Sequence, residues 1–218
     1  MVRKIKNPWN EIALSDYESH MGLSSVLQLQ TMNAEMQAQI DCYPADTIMI
    51  LGIAGGNGLE YIKAGKHAAV FGVDVNRSYL DSCVKRYPEL EGVFIPIQAD
   101  LTKPDVQLPR ADLVVANLLI EYIGYEAFQN VLDIVKPQYV SCMIQINKDD
   151  GFVSDSPYLH VFDCLNAVHH QLSEKDLTNA LCHRDYIQLY CVERSLPNGK
   201  ALLRLDYKNS NCYKGESL

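Results

Sequence analysis

Residues 48–62, IMILGIAGGNGLEYI, constrain the fold more than any other stretch of the chain. An apolar run, Ile48-Met49-Ile50-Leu51, breaks into four glycines, Gly52, Gly55, Gly56 and Gly58. A helix-like segment, Leu59-Glu60-Tyr61-Ile62, follows. A short apolar run stopped by glycines reads as a buried strand meeting a tight turn. Glycine tolerates positive φ and lets a ligand approach the backbone with no Cβ in the way. A helix after such a turn aims free N–H groups at whatever lies over it, which suits a nucleotide-like or carboxylate-bearing ligand.

Spacing separates the ligand classes that use this turn. The dinucleotide fingerprint G-x-G-x-x-G puts Gly52, Ala54 and Asn57, or Gly56, Gly58 and Tyr61, at its three positions, and neither set fits. The Walker pattern G-x-x-x-x-G-K-[ST] is absent, which argues against ATP hydrolysis of the P-loop type.

The rest of the chain sets the frame. Its 218 residues fit one domain with a small appendage. A net charge of −8 argues against a nucleic-acid or anionic-membrane surface. No apolar stretch reaches membrane-spanning length, and the first residues lack a signal-peptide apolar region. Seven cysteines without a C-x-x-C pair read as reduced thiols in a cytoplasmic protein, with no disulfide frame and no metal site.

Residues 1–46 form a helical appendage or lid ahead of a domain at residues 47–218. Ser15 and Glu18 have capping-box spacing, which predicts a helix start. Val26, Leu29, Met32, Met36 and Ile40 give helical periodicity over residues 25–40, and Gln28, Gln30, Asn33, Glu35, Gln37 and Gln39 make its polar face. As a lid, these elements would carry Tyr17, His20 and Met21 over a ligand.

Beyond the glycine turn, strands are expected at residues 68–73, 93–98, 111–116 and 139–146. Helices are expected at residues 77–87, 125–135 and 173–183, the last capped by Ser173. Asp74 ends the second strand, where its two carboxylate oxygens can accept a pair of ribose hydroxyls. The loop after residue 146 carries Asp150, Ser156, His160, Asp163, His169 and His170. The paired histidines read as surface residues, because adjacent side chains seldom converge on one ligand. Residues 186–193 and 201–207 alternate around Asn198-Gly199, which marks a hairpin.

The turn resembles the first motif of class I S-adenosylmethionine-dependent methyltransferases, acid-x-G-x-G-x-G. Ala54, Gly56 and Gly58 take its glycine positions and Gly52 its acid position, so the usual acidic partner of the cofactor's methionine end is missing. The segment Asn117-Leu118-Leu119-Ile120-Glu121-Tyr122 resembles a fourth motif of small-molecule members, with Tyr122 where His often stands. The Asn/Asp-Pro-Pro-aromatic signature of nucleic-acid amino-methylating enzymes is absent.

The resemblance spans about residues 47–208. It implies an α/β, Rossmann-like doubly wound sheet of seven strands, order 3-2-1-4-5-7-6, with an antiparallel closing hairpin. It implies S-adenosylmethionine as cofactor and S-adenosylhomocysteine as product. Gly52, Ile53, Ala54, Gly56, Gly58 and Asn117 would line the cofactor, and Asp74 would hold its ribose. Val75 and Asn76 would flank the adenine, with Asp100 and Leu101 on its edge. The acceptor is expected to be a small molecule. The candidate catalytic residues by position are Tyr17, His20, Glu121, Tyr122 and His160. The alternatives are a nicotinamide-dependent oxidoreductase on a similar sheet, a non-catalytic methyltransferase-like binding protein and, as a lesser reading, an RNA-modifying enzyme that needs a partner subunit.

Overall fold

A computed structural model describes residues 7–63, 65–147 and 151–211. Asp150 and Cys212, used in the sequence reading, lie outside these residues. The strands are β1 Thr47–Leu51, β2 Ala69–Asp74, β3 Phe94–Gln98, β4 Leu113–Asn117, β5 Tyr139–Ile146, β6 Tyr186–Ser195 and β7 Ala201–Asn209. They form one seven-stranded sheet of order β3-β2-β1-β4-β5-β7-β6, as expected. β1 to β5 pair in parallel, and β7 runs antiparallel to both β5 and β6.

The helices are α1 Leu14–Gly22, α2 Gln28–Asp41, α3 Arg77–Arg86, α4 Ile120–Val135 and α5 Glu174–Cys182. α2 and α3 cover one face of the sheet, where Met36, Ile40, Leu80 and Cys83 meet Ile48, Ile50, Val70 and Val115. α4 and α5 cover the other, where Phe128, Leu132, Leu177 and Leu181 meet Met49, Val114, Ala116 and Leu205. Burial on both faces is why β1, β4 and β5 read as continuous apolar runs.

Three local expectations change. α1 begins at Leu14 behind Ala13, so Ser15 sits inside the helix and caps nothing. α2 starts at Gln28, because Leu27 takes a left-handed conformation (φ 52°) as the chain turns back from α1. The largest change follows the glycine turn. Only one 3-10 turn, Leu59–Tyr61, stands where a helix was expected. The space above β1 is already taken by α2, whose Met36 lies against Gly58. A Cβ on Gly58 would sit 2.7 Å from Met36 Cβ.

α2 also buries part of its polar stripe, since it crosses from β1 to β7. Glu35 accepts Arg204 at 3.2 Å and Arg194 at 2.6 Å, and Arg204 pairs with Asp206 at 2.7 Å. Buried charges persist only when paired in this way. Among the described residues, no helix is long and apolar enough to cross a membrane.

Candidate functional site

The C-terminal ends of β1 to β5 open into one cavity of about 290 Å³. Its size is at the lower end of the range for small-molecule sites, about 300–1,000 Å³. Its place above the strand ends follows the rule for open α/β sheets. The sheet supplies Gly52, Ala54, Asp74, Val75, Asp100, Leu101, Asn117 and Gln145. α4 supplies Glu121, Tyr122 and Ile123. The roof comes from Trp9, Tyr17, His20 and Met21 of the N-terminal segment and from Phe152, Phe162 and His169 of the loop after β5. A smaller void of about 40 Å³ adjoins below the turn, sharing Tyr17, Gly52, Ala54 and Asn117.

The half of the cavity above β1, β2 and β3 is held by backbone donors. Asp74 is buried. Its Oδ2 accepts the Ala54 N–H at 3.0 Å and its Oδ1 accepts the Asn76 N–H at 2.8 Å. Burial still pushes its carboxyl up to about 6, against the pull of those N–H groups. The carboxylate, with two acceptor oxygens, lines the cavity. Asp100 Oδ1 accepts from the Thr102 N–H (3.1 Å) and hydroxyl (2.6 Å), and its Oδ2 lies 3.6 Å from Lys103 Nζ. Gly52 adopts φ +65°, and a Cβ there would sit 3.0 Å from the Leu119 side chain, so a larger residue would be strained and would have to displace Leu119. The polar group at that corner is Asn117, exchanging hydrogen bonds with buried Gln39 at 2.8 and 2.9 Å.

The half beside β4 and β5 differs. Glu121 stands in the first turn of α4, which a kink at Gly124 (φ 77°) separates from the rest of the helix. It is 3% exposed. Its Oε1 accepts the Gln145 N–H at 2.7 Å, and its Oε2 is buried with no hydrogen-bond partner among the described residues. Burial pushes this carboxyl up to about 7, outweighing the Gln145 N–H. Trp9 packs edge-on against Tyr122 (4.9 Å) and Tyr17 (6.1 Å). Burial raises both phenols, with added charge repulsion from Asp74 on Tyr17 and from Glu121 on Tyr122.

The N-terminal segment is fastened on both sides. Asn76 Nδ2 donates to Trp9 O (3.0 Å), and the Tyr79 hydroxyl donates to Ile12 O (3.0 Å). Arg86 grips Glu18 and donates to Gly55 O (3.0 Å). Opposite, His20 Nδ1 meets Ser156 Oγ at 2.8 Å, and Ile12 packs with Phe162 and Leu165. Burial pushes the His20 imidazole down.

Several sequence-predicted residues stand elsewhere. Gly56 and Gly58 do not line the cavity. Gly56 packs against Tyr87 and Cys83, and Gly58 against Met36. Ile53 lies in the core beneath α2 and touches only the smaller void. Asn76 caps α3 and ties down Trp9, and it is not among the residues that line the cavity. His160 lies outside, on the exposed rim beside Asp163 (3.2 Å). His169, read as a surface residue, lines the cavity and stacks on Phe152 at 3.9 Å. Sequence reasoning missed Trp9, Tyr79 and Phe152. Their signal was the aromatic content of the two segments that flank the sheet, which only the fold brings together.

No protein-family model matches the sequence, and no curated protein matches it. Solved structures do. Magnesium protoporphyrin IX methyltransferase from Synechocystis PCC 6803, with bound SAM, superposes with a TM-score of 0.65 at 11% identity, covering 94% of this chain and 95% of that one. The chain has the class I methyltransferase fold. The N-methyltransferase NodS from Bradyrhizobium japonicum WM9, in complex with S-adenosyl-L-homocysteine, gives 0.64 at 12% identity, covering 90% and 98%. The [4+2]-cyclase SpnF gives 0.68 at 8% identity, covering 93% and 95%. At these identities the likeness is one of fold, and a cyclase among the neighbours shows that the fold serves more than one chemistry.

Proposed function

We propose that the protein is an S-adenosylmethionine-dependent methyltransferase acting on a small molecule, with the N-terminal segment that carries Trp9, Tyr17, His20 and Met21 as the lid over its site. One observation carries the reading: Asp74, buried at the end of β2, lines the cavity with its carboxylate oriented by the Ala54 and Asn76 N–H groups. That is the geometry that receives a ribose diol. The residues present fit the cofactor. Val75, Asp100 and Leu101 offer a slot beyond Asp74 for a base, while Gly52 and Asn117 border the corner for the amino-acid end.

When bound, the cofactor supplies an activated methyl group on a sulfonium. The chain's task is then to align a nucleophile and keep water out. Trp9, Tyr17 and Tyr122 form an apolar roof suited to exclusion. Tyr17 and Tyr122 hold their protons at neutral pH, and His160 is out of reach, so these three are not proton acceptors.

A nicotinamide enzyme fits less well, because the dinucleotide fold has parallel strands in the order 3-2-1-4-5-6, whereas β7 here is antiparallel. The non-catalytic reading is favoured by one observation, the glycine at position 52, in a left-handed conformation, where an acidic partner is usual. Thermal unfolding distinguishes these readings. S-adenosylmethionine or S-adenosylhomocysteine at 100 times its dissociation constant stabilises by about 2.7 kcal/mol. For a chain of this size that raises Tm by about 5–10 °C, and NAD(H) leaves it unchanged. No shift with either S-adenosyl compound at millimolar concentration removes the reading. A shift without methyl transfer to any of a panel of small nucleophiles favours the non-catalytic alternative.

A further inference from the structure

Of the groups that line the cavity, Glu121 is the one whose chemistry is left incomplete. Its Oε2 is buried and has no partner among the described residues. A desolvated carboxylate oxygen without a donor is costly, and such groups in native folds call for an explanation. The surroundings narrow what could supply the donor. Among the described residues, no arginine lines the cavity, and the lysine that does, Lys103, sits at the rim, 60% exposed and beside Asp100. Burial pushes the His20 and His169 imidazoles down, so neither brings a positive charge near neutral pH. Among the described residues that line the interior, the charged groups are carboxylates, Asp74, Asp100 and Glu121, while the buried Lys200, tied to Asn147, helps to push the His169 imidazole down.

Aromatic rings line the same cavity as Glu121, and Tyr122 follows it in α4 within reach of its charge. Trp9 meets Tyr122 at 4.9 Å with planes at 86°, and Tyr17 at 6.1 Å with planes at 76°. Ring faces attract a cation most strongly where water is excluded. A lone buried carboxylate beside such rings discriminates among acceptors. A carboxylate-bearing acceptor would be repelled. A hydroxyl would satisfy Oε2 and gain nothing from the rings. A protonated amine gains from both.

We infer that the methyl acceptor is an amine, its nitrogen bound by Glu121 Oε2 against the aromatic cluster of Trp9, Tyr17 and Tyr122. This rests on the methyltransferase reading for the reaction, though not for the binding. The step balances. The amine loses a proton to Oε2, and its freed lone pair forms the N–CH3 bond. The donor's S–CH3 bond breaks with its electron pair staying on sulfur, and the proton passes from Oε2 to solvent as product leaves. A carboxyl held near neutrality by burial is matched to that exchange.

Isothermal titration of the full chain with benzylamine and with benzyl alcohol, in the presence of S-adenosylhomocysteine, tests the inference. Benzylamine should bind about tenfold or more tightly than the alcohol. Glu121→Gln keeps the acceptor for the Gln145 N–H and removes the charge. It should abolish the preference and leave the S-adenosylhomocysteine affinity unchanged. Trp9→Leu should weaken the preference without abolishing it, which keeps the test open if Glu121→Gln does not fold. Wild-type protein that shows no amine preference, or a preference that survives Glu121→Gln, overturns the inference. If S-adenosylhomocysteine itself does not bind, the donor reading fails alone, and the amine–alcohol comparison is read in its absence.

Discussion

The two halves of the cavity are built on opposite terms. Above β1 to β3 the polar groups are satisfied from within: Asp74 by the N–H groups of Ala54 and Asn76, Asp100 by Thr102. Beside β4 and β5, Glu121 keeps one oxygen without a donor under a roof of rings. Burial raises both carboxyls, but backbone N–H groups meet both oxygens of Asp74 and only one of Glu121, so the second half carries the larger desolvation cost. On the proposed reading, the first half seats the cofactor and the second the acceptor.

The largest expected effect breaks the frame under the first half. Gly58→Ala places a Cβ within 2.7–2.9 Å of Met36 at φ +94°. Left-handed strain and overpacking together should cost about 4 kcal/mol, read as a lower urea midpoint. Gly65→Ala, with nothing near its Cβ, pays the strain alone and serves as the control.

The next effect sharpens the contrast through pH. Glu121 has its carboxyl raised from 4.5 to about 7 in the folded state. A raised acid favours folding below its unfolded value, and that stability is lost as pH climbs through the folded one. Between pH 4.5 and 8 the loss should be on the order of 3 kcal/mol. Tyr122, Tyr17 and Cys142 are raised and stay uncharged across this range, while the lowered His20 and His169 gain stability as pH rises toward 6.5 and partly offset the loss in either protein, so the difference between wild type and Glu121→Gln isolates the carboxyl. Glu121→Gln should therefore melt higher than wild type at pH 8 and equally at pH 4. Asp74, raised to about 6, loses stability in the same direction and by less, since backbone N–H groups already compensate it. Equal pH profiles for wild type and Glu121→Gln would erase the distinction between the halves.

A smaller effect addresses the cofactor seat. Asp74→Ala removes two charge-assisted acceptors for ribose hydroxyls. It should weaken S-adenosylhomocysteine binding on the order of 100-fold by titration, while Glu121→Gln leaves it in place. The smallest concerns the lid. Glu18→Gln breaks a half-exposed ion pair with Arg86, costing under about 1 kcal/mol of stability. Its visible consequence should be faster ligand association in stopped flow, as the strap over the glycine turn loosens.

The contrast also explains what the sequence could and could not reveal. The strands were legible because parallel strands buried on both faces are continuous apolar runs, and because Asn198-Gly199 marks the final hairpin, while their order was only what the family resemblance of the glycine turn and the segments after it implied. Asp74 was legible because its place depends on local spacing after one turn. The missing helix after that turn was not, since Met36, from a distant segment, fills its place. Nor was the burial of Glu35 and Gln39, whose partners Arg204 and Asn117 lie far along the chain. Glu121 was a candidate by motif position alone. Its unpartnered oxygen arises only when α4, β5 and the N-terminal segment close around it.

The most direct test is a crystal structure of the S-adenosylhomocysteine complex. The account predicts ribose hydroxyls within about 3 Å of the Asp74 carboxylate. The base should lie against Val75 and Leu101, and the sulfur should face the space beside Glu121, which stays free for an acceptor. A ligand whose ribose avoids Asp74, or whose adenosyl group fills the space beside Glu121, would contradict it.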